Sequence, residues 1–384
     1  MRIISFLRPL LGWTFGLTIL LTSLFGNYII TLFLFLIFLG YHKQWRHQMD
    51  RAISFWMCIP MGFLEVIFGM TVKVSGDDID VEEPALIIMN HRTRLDWMYI
   101  WSMLYQINPW LITTNKISLK AQLKNLPGAG FGMAAAQFVF LERNMEKDKE
   151  SFDYAIDYYK GTGKSYQLLL FPEGTDKSPW TTTKSQEYAK RNGLQELKHL
   201  LYPRTSGFYH LVSKMRKANY IKYIYDITIA YPYNTVQSEV ELVTRGKCPR
   251  AVHFYVKKIP IEEVPLDEIE SGNWLNRLWM EKEQQLETFY CEPTGINRRF
   301  PMKKGDRHWS NEKEPPMKKF VKQFCFWFWL FVITVCSYHI FFIWTLQYGF
   351  IYFFITSGLL YCLYGGIDKF VYLKWKQSTK DSTV

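Results

Sequence analysis

Three windows of the chain hold no Asp, Glu, Lys or Arg, and they frame a middle region in which apolar and polar positions alternate. The first runs from Leu10 to Gly40, "LLGWTFGLTILLTSLFGNYIITLFLFLIFLG", longer than the roughly 20 residues that carry a helix across a bilayer. It exceeds a signal-peptide apolar region and has no small-x-small exit, so it reads as a retained anchor. Gly26 and Asn27 near its middle leave two forms open, one tilted span or a re-entrant pair of half-length helices. The other two windows, Phe324 to Leu346 and Gly349 to Tyr364, are separated only by Gln347 and Tyr348. That spacing predicts a transmembrane hairpin.

Between these windows the period shortens. Ala52 to Met70 is apolar but interrupted by Pro60 and Glu65, which predicts a helix lying at the membrane interface. Short apolar runs then alternate with amphipathic stretches: "ALIIM" (85 to 89), a helix from about Arg94 to Gln106, "ISLKAQLK" (117 to 124), "QFVFLE" (137 to 142), a helix near Lys147 to Tyr159, "QLLLF" (167 to 171), a helix near Gly207 to Lys217, and "DITIAY" (226 to 231). Continuously apolar strands between helices predict an α/β fold, a mixed central sheet covered by helices. The segments expected are an anchor with its interfacial helix (1–70), a soluble domain (71–287), a polar linker (288–316), and the hairpin with its tail (317–384).

Charge gives the orientation. Lys318, Lys319 and Lys322 precede the hairpin and Lys369, Lys374 and Lys376 follow it, while its turn is uncharged, which puts both flanks and the middle domain on the cytosolic face. Lys43, Arg46 and Arg51 agree; Arg2 and Arg8 suit the re-entrant form better. The net charge of +11 comes with no nucleic-acid-binding pattern, and an anionic membrane surface or acidic substrate accounts for it. Six cysteines without paired spacing predict neither a disulfide framework nor a metal site.

In α/β folds ligands sit beyond the carboxyl ends of the strands, and here those exits are "MNHRTRLD", "FLERN", "LLLFPEGTD" and "IAYP". His91 and Asp96 lie five apart, about 140° around a regular helix, so they pair only if His91 sits in the turn before the helix. Thr93 as N-cap with Asp96 three residues on supplies such a turn. Asp96 therefore reads either as half of a capping box or as the carboxylate behind a general base, whose job would be to fix the imidazole tautomer. No Gly-x-Ser-x-Gly elbow offers an enzyme nucleophile, so the activated hydroxyl belongs to a substrate. In "FPEGT" (171 to 175), Gly174 allows a ligand close to the backbone, and Glu173 is a solvated charge or a hydrogen-bond acceptor for substrate. Lys116, Lys120 and Lys124 would form one basic stripe on a helix. Arg143 is the better single candidate for an anion, because its planar fork grips phosphate with two bonds. "GTGKS" (161 to 165) lacks the first glycine of a P-loop and follows a helix instead of a strand.

Taken together, "NHRTRLD", "KAQLKNLPGAGFGMAAAQFVFLER", "FPEGT" and "ITIAYP" resemble the four ordered motifs of glycerolipid acyltransferases of the 1-acylglycerol-3-phosphate type. With "YPRTSGF" and the C-terminal hairpin, the resemblance extends to the lysocardiolipin acyltransferase branch. It implies a glycerol-3-phosphate acyltransferase-like fold and transfer from acyl-CoA, as co-substrate and not a bound cofactor, to a lysophospholipid at the endoplasmic reticulum membrane. It also implies His91 as base, Asp96 as its partner, and Lys120, Arg143, Glu173, Gly174, Thr175 and Pro232 as substrate-binding positions. Where many relatives carry an arginine after E-G-T, this chain has Asp176, an acid expected to disfavour a doubly charged phosphomonoester and to suit a phosphodiester headgroup. A catalytically silent lipid-binding protein and a thioesterase or lysophospholipase are the alternatives.

Overall fold

The computed structural model describes residues 2–343 and 345–381. The expected terminal segments also take in Met1, Trp344 and residues 382–384, which lie outside the described residues. The strands are β1 (Thr71–Gly76), β2 (Ala85–Met89), β3 (Asn115–Lys120), β4 (Val139–Leu141), β5 (Gln167–Leu170), β6 (Tyr223–Ala230), β7 (Ala251–Pro260) and β8 (Arg307–Ser310). The helices are α1 (Arg2–Leu32), α2 (Phe35–Phe38), α3 (His42–Gly62), α4 (Asp96–Ile107), α5 (Leu111–Thr114), α6 (Ala129–Ala135), α7 (Met145–Gly161), α8 (Pro179–Arg191), α9 (Thr205–Lys217), α10 (Glu239–Arg245), α11 (Glu268–Cys291), α12 (Pro316–Phe342), α13 (Thr345–Tyr364) and α14 (Ile367–Asp381).

The chain divides into two compact units that interleave along the sequence, unlike the consecutive segments expected. One comprises residues 1–13, 64–117 and 165–316, the other 14–63, 118–164 and 317–384. In the first, the sheet runs β3-β5-β2-β6-β7-β1-β8. Strands β3, β5, β2 and β6 are parallel, β7 is antiparallel to β6 and parallel to β1, and β8 closes the edge antiparallel to β1. The expected mixed α/β sheet is therefore present. All five residues of β2 are buried, as the unbroken run "ALIIM" requires of a strand covered on both faces. Apolar layers from α4, α9 and α11 complete this core, with Tyr99, Ile100, Phe208, Leu211, Leu275 and Trp279 among its buried side chains. Helix α11 and strands β1 and β7 were not foreseen, and β8 lies inside the stretch expected to be a polar linker. Its four residues bond along the open edge of β1, because an unpaired edge strand recruits any extended segment within reach.

In the second unit, the latter half of β3 pairs in parallel with β4. Asn27 of α1 donates its amide to the Gly128 carbonyl just ahead of α6, and Arg46 of α3 donates to the Ala135 carbonyl at the end of α6 at 2.6 Å, so the two helices hold α6 at its two ends. Helix α1 is unbroken at Gly26 and Asn27, one continuous helix where a re-entrant pair would need a break. Leu7–Phe38 and Pro316–His339 are long and apolar enough to cross a membrane; Gln347–Tyr364 joins Ile367–Thr379 at a 66° bend, a third span if the pair is one. The expected interfacial helix begins earlier, at His42, runs through Pro60, and buries Trp45, Met49, Met57 and Ile59. The expected basic stripe does not form. Lys116 lies in β3, buried, with its amine 4.5 Å from the Tyr166 ring centroid; Lys120 ends that strand, and Lys124 pairs with Asp368 at 2.7 Å. Four-residue spacing puts lysines on one side of a strand as readily as on one face of a helix.

Candidate active site

Strands β5, β2 and β6 are parallel neighbours, so their carboxyl ends open at one edge of the sheet. Asn90 is the first residue beyond β2, and its side chain continues the pairing: the amide donates to the Ile229 carbonyl at 3.2 Å and its oxygen accepts the Ile229 N–H at 2.9 Å. An asparagine can thus replace one rung of backbone pairing while its own backbone turns out of the sheet. His91 follows in that turn.

His91 Nδ1 stands 3.0 Å from Asp96 Oδ2. Asp96 is fully buried and opens α4, while the His91 side chain retains 14% exposure. The carboxylate is saturated. Oδ2 also accepts the Thr93 N–H at 2.9 Å, and Oδ1 accepts the Thr93 hydroxyl at 2.8 Å and the Tyr231 hydroxyl. Thr93 is not the N-cap, since α4 opens at Asp96 behind Leu95, whose side chain caps nothing; the Asp96 carboxylate nevertheless reaches back to order the turn while it receives the imidazole. It holds Nδ1 in the protonated tautomer and leaves Nε2 as the basic nitrogen. Phe171, from the neighbouring exit, stacks on the imidazole at 4.2 Å between centroids.

Both acids of the Phe171–Asp176 turn are buried. Glu173 is not a solvated charge. It is buried, faces the His91 backbone N–H, and lies 3.4 Å from Trp279 Nε1 of α11. Burial, with the nearby Asp96 charge, pushes its pKa up to about 8. Asp176 is buried too, with Gln237 Nε2 at 3.5 Å and Arg94 Nε at 3.7 Å from Oδ2. The acid expected to repel a phosphomonoester is turned inward and held by a cation. Gly174 takes φ +72°, and a Cβ there would lie 3.0 Å from Arg204 Nε. Thr175 is partly exposed, and Lys177 donates its N–H to the His91 carbonyl at 2.8 Å. Burial and Arg92 lower the pKa of the Lys177 amine.

Pro232, just after β6, is buried, and its carbonyl accepts from Arg298 at 2.9 Å. The side chain that reaches the site from this motif is its neighbour Tyr231. Behind the strands, α11 supplies Lys282, fully buried and bonded to Asp226 at 2.7 Å and to the Ile227 carbonyl at 2.7 Å, and Tyr290, whose hydroxyl accepts the Tyr231 N–H at 3.1 Å. Burial raises the Asp226 pKa and lowers that of Lys282. The structure thus brings His91, Asp96, Glu173, Gly174 and Thr175 together at one sheet edge. Lys120 and Arg143 belong to the other unit, where both are exposed at the carboxyl ends of β3 and β4, Arg143 with φ +61°. Tyr231, Trp279 and Arg204 were missed. Only the motif neighbours "YP" and "PR" hinted at two of them.

A protein-family model described as Acyltransferase matches residues 71–232, and one described as Acyltransferase C-terminus matches residues 243–329. The chain is 64% identical over 380 residues to Lysophosphatidylinositol acyltransferase 10 of Caenorhabditis elegans, covering 99% of this chain and 97% of that protein. It is 39% identical over 280 residues to Lysocardiolipin acyltransferase 1 of Gallus gallus, covering 73% of each. The crystal structure of the 1-acyl-sn-glycerophosphate acyltransferase of Thermotoga maritima gives a TM-score of 0.42 at 14% identity, over 74% of this chain and 97% of that one.

Proposed function

The chain belongs to the acyltransferase family, and from that premise we propose that it esterifies the free hydroxyl of lysophosphatidylinositol with the acyl group of acyl-CoA, in phospholipid remodelling. The acceptor is the one named for the relative that matches it end to end. The observation that carries the chemistry is the His91–Asp96 pair at a sheet edge, with Nδ1 committed at 3.0 Å and Nε2 left to act.

In this reading Nε2 of His91 takes the proton of the acceptor hydroxyl as its oxygen attacks the thioester carbonyl. Asp96 keeps the tautomer and stabilises the imidazolium. The tetrahedral intermediate collapses, the carbon–sulfur bond breaks, and the coenzyme A sulfur leaves with the proton returned from His91. Phe171 restricts the ring from one face, and Glu173 holds the backbone of the base from behind. Lys120 and Arg143 are offered as cationic substrate contacts, Gly174 and Thr175 as the turn lining the acceptor. An endoplasmic reticulum membrane with the catalytic unit on its cytosolic face agrees with the lysines that flank the C-terminal hairpin.

The test uses membranes containing the full-length protein, oleoyl-CoA and labelled lysophosphatidylinositol. His91→Ala is expected to lower phosphatidylinositol formation by about 10²–10⁴-fold while thermal unfolding stays within a few degrees of wild type. Undiminished transfer by the variant would remove His91 as base. Release of free fatty acid without diacyl product by the wild type would mark a thioesterase instead.

A further inference from the structure

The turn that faces the candidate base carries a cation from a distant part of the chain. Arg204 leads into α9, and its backbone N–H bonds the Pro172 carbonyl at 2.8 Å. Its side chain then lies across the turn, with Nε 3.0 Å and Cδ 3.2 Å from where a Cβ on Gly174 would stand. A glycine at φ +72° is therefore needed twice over, for the backbone and for the room the guanidinium occupies.

Arg204 is exposed, and among the described residues it forms no ion pair. Neither acid of the turn neutralises it. Asp176 is buried against Gln237 and Arg94, and Glu173 is buried toward Trp279 and the His91 backbone. A planar cation held on a turn without a carboxylate is arranged for a ligand anion, which its paired donors can grip with two bonds.

The position selects which anion. Phe171, the first residue of this turn, stacks on His91. In a lysophospholipid only the glycerol backbone separates the hydroxyl to be acylated from the phosphate, so a hydroxyl at His91 brings its phosphate to this turn. In acyl-CoA the whole pantetheine arm separates the thioester from the phosphates.

Resting on the acyl-transfer reading above, we propose that Arg204 binds the headgroup phosphate of the lysophospholipid acceptor. It supplies from residue 204 a cation at a turn whose own following residue, Asp176, is an acid.

The experiment measures acceptor and donor constants separately on the full-length protein in membranes, for wild type, Arg204→Ala and Arg204→Lys. The acceptors are lysophosphatidylinositol and the phosphate-free monoacylglycerol, with oleoyl-CoA as donor. Arg204→Ala is expected to raise KM for lysophosphatidylinositol at least tenfold, with kcat and the oleoyl-CoA KM within threefold of wild type. Arg204→Lys should recover part of the loss, and any residual transfer to monoacylglycerol should be equal in all three proteins. An unchanged acceptor KM in a folded Arg204→Ala protein overturns the proposal, and so does a rise in the oleoyl-CoA KM instead, which would put the guanidinium on the donor's phosphates. Should Arg204→Ala unfold, Arg204→Lys decides alone: a severalfold rise in acceptor KM supports the assignment, and no rise overturns it. Wild-type protein that transfers no acyl group overturns the underlying function, an outcome distinct from each of these.

Discussion

At the scale of single residues, the site is an imidazole whose every freedom but one is already used. Nδ1 is committed to Asp96, one ring face is against Phe171, and the backbone is held through Glu173 and Lys177. Glu173 makes this arrangement sensitive to alkali. Its folded-state pKa of about 8 lies above that of an unfolded carboxyl, so the folded protein keeps a proton that the unfolded chain gives up. The stability this confers is full below the unfolded pKa and is lost as pH rises through about 8. Glu173→Gln, which keeps an acceptor for the His91 N–H, should therefore gain on wild type by a few kcal/mol, on the order of one per pH unit, between pH 5 and 8. Melting temperatures of the two proteins across that range check this, and a constant gap sinks it. The pairing of His91 with Asp96 was one of two readings open in the sequence, because Thr93 and Asp96 fit a capping box as well as a turn that sets a carboxylate behind the imidazole. The burial of Glu173 and Asp176 was not legible, because an acid in a Gly-Pro turn looks solvated until the partners that cover it, Trp279 and Gln237, are placed by distant segments.

At the scale of elements, α11 is the helix on which the site rests, and it was the largest element unforeseen. Its inward face carries Lys282, Glu283 and Gln285 beside Leu275, Leu278 and Trp279, so the apolar period is diluted by polar residues that find partners only in the folded protein. Lys282 bonds Asp226 and the Ile227 carbonyl in β6, and Glu283 accepts the backbone N–H groups of Lys198, His199 and Leu200 at 2.7–3.0 Å. Removing one member of a buried pair costs more than the pair contributes, because the other is stranded. Lys282→Met is expected to lose about 3 kcal/mol, and adding Asp226→Asn should return a good part of it. Chemical unfolding in detergent measures both; equal losses in the single and double variants would argue against the pair. Strands β2, β5 and β6 follow the expected apolar runs and are buried almost throughout, β4 falls inside the expected run 137–142, and β7 was unforeseen although its first six residues are buried too. Strand β3 misled because lysines at 116, 120 and 124 fit a helix as well as a strand; in the fold Lys116 is buried with its amine beside the ring of Tyr166.

At the scale of the whole molecule, the two units are each assembled from three separate stretches of chain, with β3 and α1 running through both. A fragment of residues 71–287, the natural choice from the sequence pattern, omits β8 from the first unit and leaves the second with only residues 118–164. Such a fragment is expected to be recovered aggregated and without activity. A monomeric fragment with a cooperative melting transition would show that these stretches are dispensable. The wide spacing also sets an order of assembly. Strand β1 is made about 175 residues before β7 (251–260) and about 230 before β8 (307–310), its two partners, so a nascent chain carries an unsatisfied strand throughout that interval. The sheet can close only once residue 310 has been synthesised, after the first apolar helix is already available for insertion. Until then, protecting β1 from other unfinished chains falls to the cell's chaperones.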